Sequence, residues 1–318
     1  MKRALKIDRL KMALYPVAAA LLLCLGAASP LNAAGKIKVM TSTTDLAALA
    51  IEVGGEKVSV NPIARGYQDP HFVEAKPSFL MNLRQADLLV VVGLELEVGW
   101  LPPLITQCGN PRIQPAAQGY FDASQFSEIL EIPTTTVSRA MGDVHPMGNP
   151  HYWLDPQNGA RIAGGLAQKF SQISPGDTAY FQARLADFKK RLEAAERLWD
   201  AQMKPYRGRK VITYHQSWPN FMKRFGLQVA DYVEPRPGIP PSPRHVVELI
   251  ALMKRENAKL ILVEPYFDLK TPQSVARETG GQVVVLMPSV GGNKDVGDYI
   301  KLFDYDVNQV VKGFQQVK

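Results

Sequence analysis

The sequence predicts an α/β protein of two lobes, each built on a mostly parallel sheet covered by helices on both faces, and three observations carry that prediction. Short aliphatic and β-branched runs alternate with segments of helical period, which is the pattern of strands joined by crossover helices. The alternation occurs twice, once before residue 100 and again after residue 210. Between the two stands one long amphipathic stretch with apolar residues at helical spacing.

The first 34 residues stand outside that fold. Lys2, Arg3, Lys6, Arg9 and Lys11 make a basic start, residues 17–25 are continuously apolar, and Ala27-Ala28 and Ala33-Ala34 offer small residues for cleavage. Together they form a secretory leader. Pro16 and the shortness of the apolar run argue against a permanent membrane span. Cys24 follows three leucines, whereas a lipid-attachment cysteine follows a small residue, so the expected product is a periplasmic protein without a lipid anchor.

In the first lobe, residues 36–40 alternate as a strand. Thr41-Ser42-Thr43-Thr44-Asp45 then supplies capping groups for a helix over 46–53. Residues 58–63 form the next strand, 78–85 a helix, and 88–92 a fully apolar strand stopped by Gly93. Ser174-Pro175-Gly176-Asp177 is a helix start with proline near its first position. Tyr180, Leu185, Phe188, Leu192, Ala195 and Leu198 continue it at helical spacing. Some 27 helical residues span roughly 40 Å, enough for a rigid strut along both lobes that limits hinge closure. The second lobe repeats the grammar, with strands at 210–214, 228–232, 260–263 and 282–286. Its helices fall at 218–225, 243–257, 271–279 and 298–317. The expected division is therefore leader 1–34, N-terminal lobe 35–173, linking helix 174–204 and C-terminal lobe 205–318.

Charge and cysteine narrow the function classes. The whole chain has 37 Lys+Arg against 30 Asp+Glu; loss of the leader leaves 32 against 29, so most of the basicity is a targeting effect. The remaining basic residues form no aromatic-interleaved patch, which excludes a nucleic-acid partner. Cys108 is then the one cysteine left, so no internal disulfide forms, and 284 residues bury enough apolar surface without one.

Three of the five histidines occupy turn-rich motifs: His71 in Asp69-Pro70-His71-Phe72, His151 in Asn149-Pro150-His151-Tyr152-Trp153-Leu154-Asp155-Pro156, and His215 in Thr213-Tyr214-His215-Gln216-Ser217-Trp218. In open α/β sheets ligands bind beyond the carboxyl ends of strands, and His71, His215 and Glu264 all fall there. Neutral imidazole is the commonest protein ligand for zinc and related ions. A metal site made by His71, His151 and His215 is the reading that follows. Glu264 ends an apolar strand where an unpaired carboxylate is costly, so a metal, an arginine or a hydrogen bond to His215 would satisfy it. Asp268 is the alternative acid, and Asp69 is expected to orient His71. His145, in Gly142-Asp143-Val144-His145-Pro146-Met147-Gly148, is expected to be solvated or at most an auxiliary capture ligand. His245, near a helix start, reads as surface structure.

Taken together the chain resembles the periplasmic zinc/manganese-binding proteins of ABC importers, the zinc-uptake component A family. The resemblance is carried by Asp69-Pro70-His71 with Lys76-Pro77-Ser78, Ala86-Asp87-Leu88, Gly93 with Glu95, Trp100-Leu101, the His151 to Pro156 motif, and His215 with Phe221 and Phe225-Gly226-Leu227. It implies two Rossmann-like lobes, a long linking helix, a metal in the inter-lobe cleft and delivery to a membrane permease. His71, His151 and His215 match the family's three histidine positions. Two departures stand out. Where members carry a histidine- and acid-rich loop this chain has only His145, and where many carry an aspartate ligand it reads Leu286-Met287-Pro288-Ser289-Val290-Gly291-Gly292. The fourth position is left to Glu264, Asp268 or water, with Glu264 expected first.

The expected function is capture of a divalent ion, zinc ahead of manganese, by a monomer that hands it to an ABC permease. Imidazoles suit zinc better than calcium or magnesium, and manganese becomes the choice if two carboxylates join. One rival is a secreted zinc hydrolase with Glu264 as general base, but no His-Glu-x-x-His signature is present. The other is a periplasmic metal chaperone or adhesin on the same scaffold.

Overall fold

The computed structural model describes residues 35–138 and 141–317. The leader expected over 1–34, with Cys24, lies outside the described residues. The first lobe runs β1 (Ile37–Thr41), α1 (Thr44–Gly54), β2 (Val58–Pro62), α2 (Pro77–Gln85), β3 (Leu88–Val91), α3 (Leu101–Gln107) and β4 (Tyr120–Asp122). Two helices follow, α4 (Pro156–Ile173) and α5 (Thr178–Met203). The second lobe runs β5 (Lys210–Thr213), α6 (Pro219–Phe225), β6 (Gln228–Tyr232), α7 (Pro243–Glu256), β7 (Leu260–Val263), α8 (Lys270–Thr279), β8 (Gln282–Val285) and α9 (Tyr299–Gln316).

Both sheets are parallel and share one topology. The strand orders are β2-β1-β3-β4 and β6-β5-β7-β8, so in each the chain adds one strand on one side of the first and then reverses to the other. That reversal opens a crevice at the carboxyl ends of β1 and β3, and of β5 and β7. β3 and β7 are buried throughout, as their uninterrupted aliphatic sequences require.

The lobes are matched in local detail although their sequences are not. Thr41 Oγ1 donates to the Thr43 carbonyl as Thr213 Oγ1 donates to that of His215. The Ile63 and Ala64 amides donate to the Thr41 and Ser42 carbonyls, and those of Val233 and Glu234 donate to Thr213 and Tyr214. These bonds fix how the chain leaves the first strand in each lobe, and so where the side chains just past it point.

The core has three parts. Met40, Leu83, Leu89 and Leu104 fill the outer face of the first sheet, and Ile212, Leu249, Ile261 and Val275 that of the second. The inner faces of both sheets share one continuous cluster, which includes Leu46, Phe121, Trp153, Phe170, Trp199, Phe221, Leu262 and Phe303. A common apolar layer joins the lobes in one compact unit.

Helix α5 reinforces that layer. It buries Phe181, Phe188, Leu192, Ala195, Trp199 and Met203, a stripe at steps of three, four and seven. At its first half Arg184 Nε donates to the Glu52 carbonyl of the first lobe, 2.8 Å. At its second half Trp199 Nε1 donates to Asp304 Oδ1 on α9, 2.7 Å. The strut expected from the sequence is thus present, but Pro175–Asp177 forms a separate 3-10 turn before it.

Three elements were not expected. Helix α3 carries Pro102-Pro103 in its first turn, and β4 is only three residues long. Helix α4 holds Gly159, Gly164 and Gly165, poor helix formers by propensity. Packing overrides propensity: a Cβ at Gly159 would lie 2.2 Å from the Tyr299 ring, and one at Gly165 2.7 Å from Phe126. Among the described residues no helix is long and apolar enough to cross a membrane.

Candidate metal centre

His71 and His151 are held by the same device. In Asp69-Pro70-His71 the aspartate Oδ1 accepts from both the His71 amide, 2.9 Å, and its ring Nδ1, 2.8 Å. In Asn149-Pro150-His151 the asparagine Oδ1 accepts from the His151 amide, 2.9 Å, and its Nδ1, 3.0 Å. An Asx residue two positions before the histidine therefore forms a turn with the backbone and aims the ring at once, while the intervening proline holds the preceding residue extended. The Asn149 amide orientation follows from its other bonds, because Nδ2 donates to Glu131 Oε2, 2.9 Å, and to the Gln216 carbonyl, 2.7 Å.

His215 lies just past β5 and takes its partner from the neighbouring strand. Its Nδ1 is 2.8 Å from Oε2 of Glu234, two residues past the end of β6. All three rings thus present Nδ1 to an oxygen. The hydrogen belongs on Nδ1, and Nε2 is left as a bare lone pair.

These lone pairs converge. One ring nitrogen from each of His71, His151 and His215 lies within 4.8 Å of the others. The ring centroids are 5.1, 5.6 and 5.6 Å apart. His151 is 2% exposed and His215 8%. Among the described residues His151 Nε2 has no hydrogen-bond partner, and a buried acceptor without a donor is costly unless a cation meets it. The group opens on a cavity of about 340 Å³ lined by Glu131, His145, Asn149, His215 and Pro237 among others.

The electrostatics push His151 and His215 in opposite directions. Burial, helped by the neighbouring histidines, holds the His151 pKa well below its usual value. Burial would also lower that of His215, but the Glu234 hydrogen bond and the charges of Glu264, Glu234 and Asp69 together leave it raised. Asp69 is lowered despite its burial, because His71 donates to it.

The neighbouring acids and the remaining histidines lie as follows relative to the three rings. Glu264 is not part of the converging group: it is fully buried, its Oε1 accepts from Trp218 Nε1 at 2.9 Å, and Oε2 has no partner among the described residues. Burial pushes its pKa up to about 7. Asp268 is exposed and accepts from the Lys270 amide. The hydrogen bond to His215 that Glu264 was a candidate to make is made by Glu234, which shares the Glu-Pro sequence at a strand end. His145 is not solvated either. Its Nδ1 meets the Leu94 carbonyl at 3.0 Å and its Nε2 lies 3.3 Å from His71 Nε2. His245 stays apart from the site, with Nε2 on the Tyr232 carbonyl.

The segment that departs from the family pattern has a different task. Asp306 Oδ1 accepts from the Met287 amide, Trp153 Nε1 donates to the Pro288 carbonyl, and Asp45 Oδ1 accepts from the Val290 amide. Residues 287–290 therefore staple the lobes together behind the histidines.

Comparison with known proteins shows the family and the fold. Residues 39–313 match the family described as zinc-uptake complex component A, periplasmic. The metal ABC transporter substrate-binding lipoprotein FimA of Streptococcus parasanguinis is 22% identical, over 93% of this chain and 94% of its own. The manganese ABC transporter substrate-binding lipoprotein PsaA of Streptococcus pneumoniae is 21% identical, over 93% and 94%. The crystal structure of ZnuA superposes with a TM-score of 0.72 at 24% identity, covering 87% of this chain and 99% of that one.

Proposed function

We propose a function from one premise: the chain belongs to the periplasmic zinc-uptake complex component A family. The family consists of substrate-binding components of metal ABC importers, not enzymes. On this reading the protein captures a divalent metal ion outside the cytoplasm and hands it to an ABC permease, with the ion as cargo.

The observation that carries the reading is the convergence of three imidazoles whose Nδ1 atoms are all engaged. Pinned Nδ1 atoms fix the tautomer and the aim of each ring, so His71, His151 and His215 meet an ion without reorganising. The hydrolase alternative loses its support, because Glu264 is buried against Trp218 and cannot act on water beside the ion.

Zinc is the proposed cargo and manganese the second choice. Nitrogen ligands and the general affinity order both favour zinc, whereas manganese favours oxygen, and the carboxylates here face Nδ1 atoms or lie outside the group. PsaA is named for manganese and ZnuA belongs to the zinc-named family, so direct competition decides. Equilibrium dialysis against equal zinc and manganese should leave mainly zinc bound, and His151→Ala should weaken binding strongly without unfolding the chain. Retention of mainly manganese would reject the ion assignment; undiminished affinity in His151→Ala would reject the site.

A further inference from the structure

The loop over residues 141–148 reaches from the first lobe to the second. The Asp143 amide donates to the Pro237 carbonyl at 3.0 Å. The approach is close enough that a Cβ at Gly142, which sits at φ +79, would lie 2.2 Å from that same oxygen. The facing turn is tied to the histidines, since Glu234 Oε2 accepts from the Gly238 amide at 3.1 Å as well as from His215 Nδ1. One carboxylate thus supports both a ring of the site and the turn on which the loop rests.

What the loop delivers is His145. A carbonyl carries no hydrogen, so the contact of His145 Nδ1 with the Leu94 carbonyl places the proton on Nδ1. The Asp69 carboxylate does the same for His71. Two neutral rings in these tautomers present bare lone pairs at Nε2, and those two atoms are 3.3 Å apart. Facing lone pairs repel unless a cation lies between them, and the cation is either a proton or a metal ion. Four nitrogens around zinc at about 2.0–2.1 Å stand roughly 3.3–3.4 Å from one another along the edges of the tetrahedron. The separation of His145 from His71 has that length.

We propose that His145 is the fourth ligand of the ion, supplied by the 141–148 loop while it rests on the second lobe; this builds on the three-histidine reading above. His145 adjoins His71 but stands outside the group of three whose nitrogens are mutually within 4.8 Å. A small shift of its ring toward His151 and His215 completes the set, and the ion displaces any proton shared with His71. Four imidazoles bring no charge of their own. Asp69 and Glu234, each hydrogen-bonded to a ligand ring, then balance the two positive charges of the ion.

The test is a count of imidazoles by X-ray absorption at the zinc edge, with Kd measured in parallel, on wild type, His145→Ala, His145→Gln and His151→Ala. Circular dichroism of the metal-free forms checks folding. The expected result is four imidazoles in the wild type, three plus oxygen in both His145 variants, and a Kd weakened by about tenfold or more. Wild-type Kd and imidazole count in the His145 variants, with binding lost in His151→Ala, would overturn the role of His145 and leave the three-histidine site standing. Undiminished binding in all the variants would overturn both.

Discussion

His215 and Glu234 stand 2.8 Å apart, Nδ1 to Oε2, on loops that leave neighbouring parallel strands 19 residues apart in the chain. Because Thr213 at the end of β5 pairs with Tyr232 at the end of β6, beyond a register shift between Val211 and Ile212, the sheet itself sets that distance. The pair couples the sheet to the site, since the carboxylate decides which nitrogen of His215 faces the ion and how readily that nitrogen takes a proton instead.

Glu234→Gln keeps an acceptor for Nδ1 but removes the charge, so it should weaken zinc binding by about tenfold near neutral pH, and Glu234→Ala by up to about a hundredfold. The pH dependence should distinguish the charge effect. In the wild type the raised His215 pKa lets a proton compete with zinc above the ordinary histidine range, so affinity falls as pH drops through that region. Without the carboxylate charge, burial should dominate and move the competition to lower pH. Zinc titrations of the two proteins across pH 5 to 8 check this; parallel profiles would contradict it.

Asp45 makes the metal-free fold sensitive to pH in the opposite sense. Burial pushes its pKa up to about 7 from an ordinary value near 3.8; Oδ1 accepts from the Val290 amide, and Oδ2 has no partner among the described residues. An acid raised by folding keeps its proton in the folded chain. The stability it contributes is complete below the unfolded pKa and is lost as pH rises through the folded one. Between pH 5 and 8 the loss is on the order of 2–3 kcal/mol for this group, and Glu97, also raised to about 7 by burial, acts in the same direction. Asp45→Asn keeps an acceptor for the Val290 amide and should flatten the dependence. Urea unfolding of both forms at pH 5 and 8 measures it, and an unchanged slope would remove Asp45 from the account.

Glu264→Gln should change zinc affinity by less than about tenfold, because the carboxyl is held by Trp218 outside the ligand group and acts on the ion only through its field on His215. A loss as large as that of His151→Ala would return Glu264 to the ligands.

The contrast between Glu264 and Glu234 shows how far sequence alone reached. Strand ends were legible from aliphatic runs, and the three converging histidines stood out by their turn motifs, because both signals are local. Glu234 and Glu264 each end a strand before a proline, and nothing local separates them. Which one meets His215 depends on β6 and β7 lying on opposite sides of β5. His145 was undervalued for a related reason: its loop reads as solvated until Leu94, Pro237 and His71 are brought around it by the fold. Helix α4 was hidden by its glycines, of which Gly159 and Gly165 admit Tyr299 and Phe126 from distant parts of the chain.

Gly159 offers a test of that last point. An alanine there suits the helix but forces its Cβ against the buried Tyr299 ring, whose hydroxyl is bound to the Trp153 carbonyl. Gly159→Ala should destabilise by about 1–3 kcal/mol through overpacking, despite the gain in helix propensity. Urea denaturation of the metal-free protein reads the sign, and a stabilised variant would mean that the interface gives way easily.

The central claim is that one ion is held through Nε2 of His71, His151 and His215, and a crystal structure of the zinc-loaded protein with anomalous data at the zinc edge tests it most directly. A single strong peak is expected in the cleft, about 2.0–2.1 Å from each of those three nitrogens, with Asp69, Asn149 and Glu234 still on the Nδ1 atoms. A peak held by other residues, or none at the three histidines under saturating zinc, would contradict it.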